Sequence, residues 1–288
     1  MGDPKNKPVV LLHGGQGNSN QMFNQANYLY AAGWYVIVQD TRGQGRSPYS
    51  GFTKFHYDDM ARDIIAVLDH LEVPKAAFVG WSDGAITSLN VGMNYTARVD
   101  RIFAHGANAQ WNMTIPTPAP TLPNRLRKRD DAYSYASLSP TPEKEQEMED
   151  GVALMWNTEP TWGKEAFAKI LAPTWIVDGD RDGSVSRNQP DAMAAWTPNA
   201  GELIIPNAGH AILLEDPGKP NYLFLFSSGI LRLILFTILS ALQYAHEPLL
   251  DARIRWQSAC ILKWQWGSTH TSIVFSPAGT RRNEIVET

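Results

Sequence analysis

Gly80-Trp81-Ser82-Asp83-Gly84 lies between an apolar run at 76–79 and a helix-like run at 85–94. A serine with glycine two residues to either side, on a strand-to-helix turn, is the nucleophile-elbow pattern. The turn is strained, and side chains at either glycine would collide with the neighbouring strand and helix. It lifts the serine hydroxyl into a cleft and aims the first amides of the following helix at it. The pentapeptide is short. Its place between strand and helix, and three further pieces in matching chain order, give it weight.

Working outward, residues 8–12 are a short apolar strand leading into His13-Gly14-Gly15-Gln16-Gly17. A helix is expected over 20–32, stopped by Gly33, then a strand over 34–39 ending at Asp40. Over 58–71, Met60, Ile64, Val67, Leu68 and Leu71 recur at helical spacing, with Asp58 and Asp59 in the first turn. Further strands are expected at 101–104, 174–177 and 202–205. Strands alternating with helices predict an α/β fold: a mostly parallel central sheet with helices on both faces.

Between 108 and 163 the alternation breaks: 114–123 carries four prolines, and 144–156 reads as a helix of mixed polarity. An insertion at the ligand-binding end of the sheet reads as a small cap. The expected organisation is one domain over 1–217, with the cap at about 108–163, and an atypical tail over 218–288. In that tail 222–244 is almost continuously apolar, and its length suits a membrane span of roughly 20 residues. Arg232 near its middle favours a buried helix over membrane contact. Residues 251–288 show no clear periodicity.

Composition narrows the function. The chain has 288 residues, 43% hydrophobic and 19% charged, which suits a packed core. A net charge of −4 gives no case for a nucleic-acid partner. The single cysteine, Cys260, excludes an internal disulfide and a cysteine-rich metal site. The first residues show no charged-then-apolar leader, so a cytoplasmic location is expected. His13–Gly17 lacks the G-K-[ST] ending of a phosphate-binding loop.

A serine hydroxyl needs a base to take its proton, and the base needs an orienting acid. His210 follows the strand at 202–205, within Pro206-Asn207-Ala208-Gly209-His210. Asp178-Gly179-Asp180-Arg181-Asp182 follows the strand at 174–177 and offers three acids. Asp178 ends the strand and Asp180 shapes the turn, so Asp182 is preferred. The order Ser82, Asp182, His210 is the one this topology requires. One donor to a tetrahedral oxyanion is expected from the Asp83 amide and another from Gly15, with Gln16 as its alternative. His13 precedes the glycine loop and is read as a structural hydrogen-bonding residue.

Taken together, His13-Gly14-Gly15, the stretch 40–47 (Asp-Thr-Arg-Gly-Gln-Gly-Arg-Ser), Gly80–Gly84, Gly179–Asp182 and Gly209-His210 resemble the α/β-hydrolase superfamily across about 8–217. The resemblance implies Ser82 as nucleophile, Asp182 as acid and His210 as base, with no cofactor and no metal. Gly80–Gly84 followed by Gly106-Ala107-Asn108-Ala109 is similar to the valacyclovir hydrolase (biphenyl hydrolase-like) group, which cleaves α-amino acid esters. That resemblance implies Asp83 as a holder of the substrate's ammonium, with Trp81 beside it in the substrate site. Asp83 equally suits the first turn of its helix, and both readings stand. The family ordinarily carries two strands before the one at 8–12 and an amphipathic helix after its histidine; here seven residues precede that strand and the apolar tail follows. The expected partners are a small acyl substrate (an ester, lactone or amide) and water. The competing expectation is a non-catalytic or disabled ligand-binding protein on the same fold.

Overall fold

The computed structural model describes residues 1–113 and 132–215, together with the backbone of 260–266, 269–275 and 285–287. The apolar stretch 222–244 and the proline-rich segment 114–123 lie outside the described residues. All six expected strands form: β1 (Pro8–Leu12), β2 (Tyr35–Val38), β3 (Ala76–Trp81), β4 (Val99–His105), β5 (Thr174–Gly179) and β6 (Ala200–Ile205). They pair in parallel in the order β2-β1-β3-β4-β5-β6. β3 is buried at every position, as a central strand covered on both faces must be.

The strand period of two sorts the core into two layers. On one face Val10, Leu12, Phe78, Ile102 and Ile176 pack with Met60, Ile64 and Leu68 of α2 (Tyr57–His70) and Ile86 and Leu89 of α3 (Asp83–Asn94). On the other face Val9, Leu11, Val79, Phe103, Val177 and Leu203 pack with Ala26 and Leu29 of α1 (Phe23–Ala31). The helix expected over 20–32 starts as a 3-10 turn, Ser19–Met22, because the Asn18 side chain accepts the Asn20 N–H at 3.0 Å and tightens the entry. Gly33 ends α1 at φ +82°, a left-handed exit suited to glycine.

Between β4 and β5 stand α4 (Tyr135–Leu138), α5 (Glu145–Trp156) and α6 (Lys164–Phe167). Met148, Val152 and Met155 of α5 pack into the first core layer beside Phe55 and Tyr57. The segment also holds the loop after β1: Gln16 donates to the Glu149 carbonyl, and Asn18 to the Tyr133 carbonyl. Its far end is held by Glu159, which accepts from Lys54 at 2.8 Å and His56 at 2.6 Å.

α7 (Asn188–Trp196) precedes β6, and α8 (Ile212–Glu215) follows it. Within 251–288, which shows no clear periodicity in sequence, three strands form. β7 (Cys260–Trp266), β8 (Thr269–Phe275) and β9 (Ile285–Glu287) extend the sheet, antiparallel, from the edge of β6. An open strand edge recruits partners through backbone hydrogen bonds, which leave little periodic signature in a sequence. Among the described residues no helix is long and apolar enough to cross a membrane.

Candidate active site

Ser82, Asp182 and His210 come from the ends of β3, β5 and β6, and the structure brings them together. The elbow forms because two glycines permit it. A Cβ on Gly80 would lie 2.2 Å from the Gly84 carbonyl oxygen, and one on Gly84 the same distance from that of Leu12. Ser82 itself sits at φ +54°, ψ −120°, a conformation costly for any residue with a side chain. Its N–H donates to the His105 carbonyl at 2.9 Å, and the Ala85 and Ile86 amides return to its own carbonyl. The strained residue is thereby fixed from both sides.

From Ser82 a chain of hydrogen bonds runs inward. Ser82 Oγ lies 3.0 Å from His210 Nε2, and His210 Nδ1 lies 2.7 Å from Asp182 Oδ2. Because the carboxylate only accepts, Nδ1 carries the proton and Nε2 is left to accept from the hydroxyl. Asp182 Oδ1 accepts the N–H groups of Ser184 at 2.7 Å and Val185 at 3.0 Å. Burial acts to raise the Asp182 carboxyl, but the bond and charge of His210, with these amides, outweigh it and hold the group well below the usual carboxylate range. Asp180 accepts the Ala208 N–H at 3.1 Å and so shapes the turn under the His210 loop.

Trp81, expected beside the substrate, ends β3 against the catalytic histidine candidate. It is 3% exposed, and its indole N–H donates to the His210 carbonyl at 2.7 Å. Its ring packs against the His210 ring with centroids 5.9 Å apart. At the end of β3 its bulk supports the base from beneath. His13 is structural, donating from Nδ1 to the Gly14 carbonyl at 2.7 Å and accepting the Thr41 N–H on Nε2 at 2.9 Å.

Asp83 opens α3, so its own N–H has no intrahelical acceptor. Gly15 faces it closely: a Cβ there would stand 2.2 Å from Asp83 Oδ2. The Asp83 side chain is buried and accepts from Tyr57 Oη at 2.9 Å and from Trp156 Nε1 at 2.9 and 3.0 Å. Burial pushes the carboxyl up to about 6, against the lowering effect of those two donors. Neither partner was visible in the sequence, because Tyr57 reads as a helix-start aromatic and Trp156 as the end of a mixed-polarity helix. Among the described residues no cluster of three or more His, Cys, Asp or Glu side chains is placed to hold a metal.

The raised Asp83 value makes a stability prediction. An acid whose folded value exceeds its ordinary 3.8 binds more protons folded than unfolded, so stability falls as pH climbs through that window. Asp83→Asn is expected to gain stability relative to the parent as pH rises from about 4 to about 7, by on the order of 3 kcal/mol, and to gain no more above that. Thermal melts of both chains across pH check it; a gap that does not change with pH would sink it.

Comparison with known proteins bears on the family and the fold. A family model described as the alpha/beta hydrolase fold matches residues 7–150. 3-Oxoadipate enol-lactonase 1 of Acinetobacter baylyi is 30% identical over 248 residues, covering 80% of this chain and 91% of that one. Serine hydrolase BPHL of Homo sapiens is 26% identical over 226 residues, covering 75% of this chain and 77% of the relative. The chain spans only 39% and 36% of two other curated relatives. Among solved structures, Est816, titled an N-acyl homoserine lactone degrading enzyme, superimposes with a TM-score of 0.62 at 24% identity, over 78% of this chain and 93% of that one.

Proposed function

Because the chain belongs to the alpha/beta hydrolase fold family, we propose that it is a cofactor-independent serine hydrolase of a small ester, lactone or amide. The observation that carries this reading is the continuous hydrogen-bond chain from Ser82 Oγ through His210 to Asp182. In the first step Ser82 Oγ attacks the acyl carbon while its proton passes to His210 Nε2. The imidazolium is stabilised by Asp182, which does not take the proton. The amides of Gly15 and Asp83 donate to the tetrahedral oxyanion, each worth about 3 kcal/mol in a water-poor site. The intermediate collapses, and His210 returns the proton to the leaving group. Water, activated by the same nitrogen, then resolves the acyl-enzyme. The segment 132–163 acts as a cap that sets which acyl groups enter.

Substrate class turns on Asp83. A carboxylate next to the nucleophile favours an ammonium group on the carbon beside the acyl carbon, and the likeness to a BPHL serine hydrolase points the same way. Both Asp83 oxygens already accept from Trp156, so an ammonium must share the carboxylate with that indole. Asp83→Ala is expected to reduce the preference for aminoacyl over plain acyl esters about tenfold or more, the worth of a charge-assisted hydrogen bond. A panel of paired p-nitrophenyl esters reads this directly, and an unchanged preference removes amino acid esters from the proposal.

The activity itself is tested by incubating the full chain with a fluorophosphonate and locating the adduct by mass spectrometry. Modification confined to Ser82 and dependent on His210 is the expected result. A folded chain that stays unmodified turns the reading to a ligand-binding protein on this fold.

A further inference from the structure

Asp178 takes no part in the steps above, yet it lies against the acid of the site. It sits near the end of β5, four positions before Asp182, and is 1% exposed. Its Oδ1 accepts the Gly179 N–H at 2.8 Å. Its Oδ2 is buried and receives no donor among the described residues. The Asp182 N–H donates to the Gly179 carbonyl at 3.2 Å, a tight turn that sets the two carboxyls against each other as interacting neighbours. Ionised carboxylates only accept, so a bond between two of them requires a proton on one.

The surroundings decide which one holds it. Asp182 already accepts three N–H groups, from Ser184, Val185 and His210 Nδ1. Each of these favours its ionised form. Asp178 accepts one N–H, and the guanidinium that acts on it, Arg187, is bonded to Asp191 and Glu202. Ionising Asp178 as well would place two like charges in contact in a buried place.

We propose that Asp178 is a neutral carboxylic acid in the working protein, whose Oδ2–H donates to Asp182 as a positioning residue for the Asp182–His210 pair. Its part in catalysis rests on the serine-hydrolase reading; the place of its proton does not. Burial first, then the Asp182 charge, push the Asp178 carboxyl up to about 9, in keeping with this geometry. With a fourth donor, Asp182 is a poor proton acceptor, and that keeps the proton of the imidazolium on His210. The orphaned Oδ2 ceases to be unsatisfied, since protonation turns it from acceptor to donor.

The test uses the full chain labelled with [13C]aspartate. Its infrared difference spectrum against Asp178→Asn near neutral pH is expected to show the C=O stretch of an un-ionised carboxylic acid, lost in the variant. In parallel, the rate of fluorophosphonate modification at Ser82 is expected to fall about tenfold in Asp178→Ala. Most of that loss is recovered in Asp178→Asn, whose amide N–H still donates to Asp182 while its oxygen still accepts from Gly179. Melting curves show whether the alanine variant is folded; if it is not, the infrared band decides alone. No band assignable to Asp178, or an asparagine variant as slow as alanine, overturns the proposal. A parent chain that shows the band but is not modified at Ser82 overturns the serine-hydrolase reading and leaves the proton on Asp178 standing.

Discussion

Ser82→Ala is expected to lower kcat for any substrate of this protein by about 10⁶-fold, the loss typical when the nucleophile of such a unit is removed. Only the Oγ disappears. The Cβ remains, the positive φ remains, and the backbone bonds from Ser82 to His105, Ala85 and Ile86 are untouched. The fold therefore stays, and the melting temperature should move little. What should survive is the polarisation proposed for the Gly15 and Asp83 amides, expected to leave roughly 10³- to 10⁴-fold over water as in enzymes built this way. Turnover of a p-nitrophenyl ester by both chains, with active-site titration to exclude trace parent protein, measures it. Retention of even a hundredth of the parent rate would mean that another group attacks.

Asp182→Asn should cost about 10⁴-fold in kcat while leaving KM almost unchanged. The reason is in the hydrogen bonds. Two N–H groups, of Ser184 and Val185, point at Oδ1, so an asparagine must set its carbonyl oxygen there. Its NH₂ then faces His210 Nδ1, where the carboxylate used to accept. Two donors cannot meet, so the imidazole shifts its proton to Nε2 and presents N–H to the serine hydroxyl. The base is then already protonated on the face that must take a proton. NMR of the His210 ring nitrogens would show the exchanged tautomer, and a variant with the parent's tautomer and full activity would refute the assignment of Asp182.

Much of this was legible in the residues. The six parallel strands are short apolar runs bounded by glycine, proline or acidic turns, and each lies close to where it was expected. Ser82, Asp182 and His210 were legible because each follows its own strand, and a parallel sheet puts all such ends on one side. What stayed hidden depends on side-chain direction or on contacts distant in the chain. Trp81 meets His210 across 129 positions, a contact that no local pattern shows. Trp156 meets Asp83 across 73 positions, and no local pattern encodes such a meeting. Asp178 reads as a competitor of Asp182, when its buried carboxyl is a neighbour that acts on the one it competes with. The strands at 260–266, 269–275 and 285–287 were missed because they join the sheet through their backbones, β7 on β6 and each of the others on the strand before it.

The backbone at Ser82 has a further bearing on how this molecule tolerates change. A residue with a side chain held at φ +54° carries strain on the order of 1–3 kcal/mol. Glycine would relieve it, and would also delete the hydroxyl. At this one position the more robust protein and the reactive protein are different sequences. Selection or engineering guided by thermostability alone would drift toward the inert one, so a stabilisation programme for this chain has to hold position 82 fixed and seek its gains elsewhere.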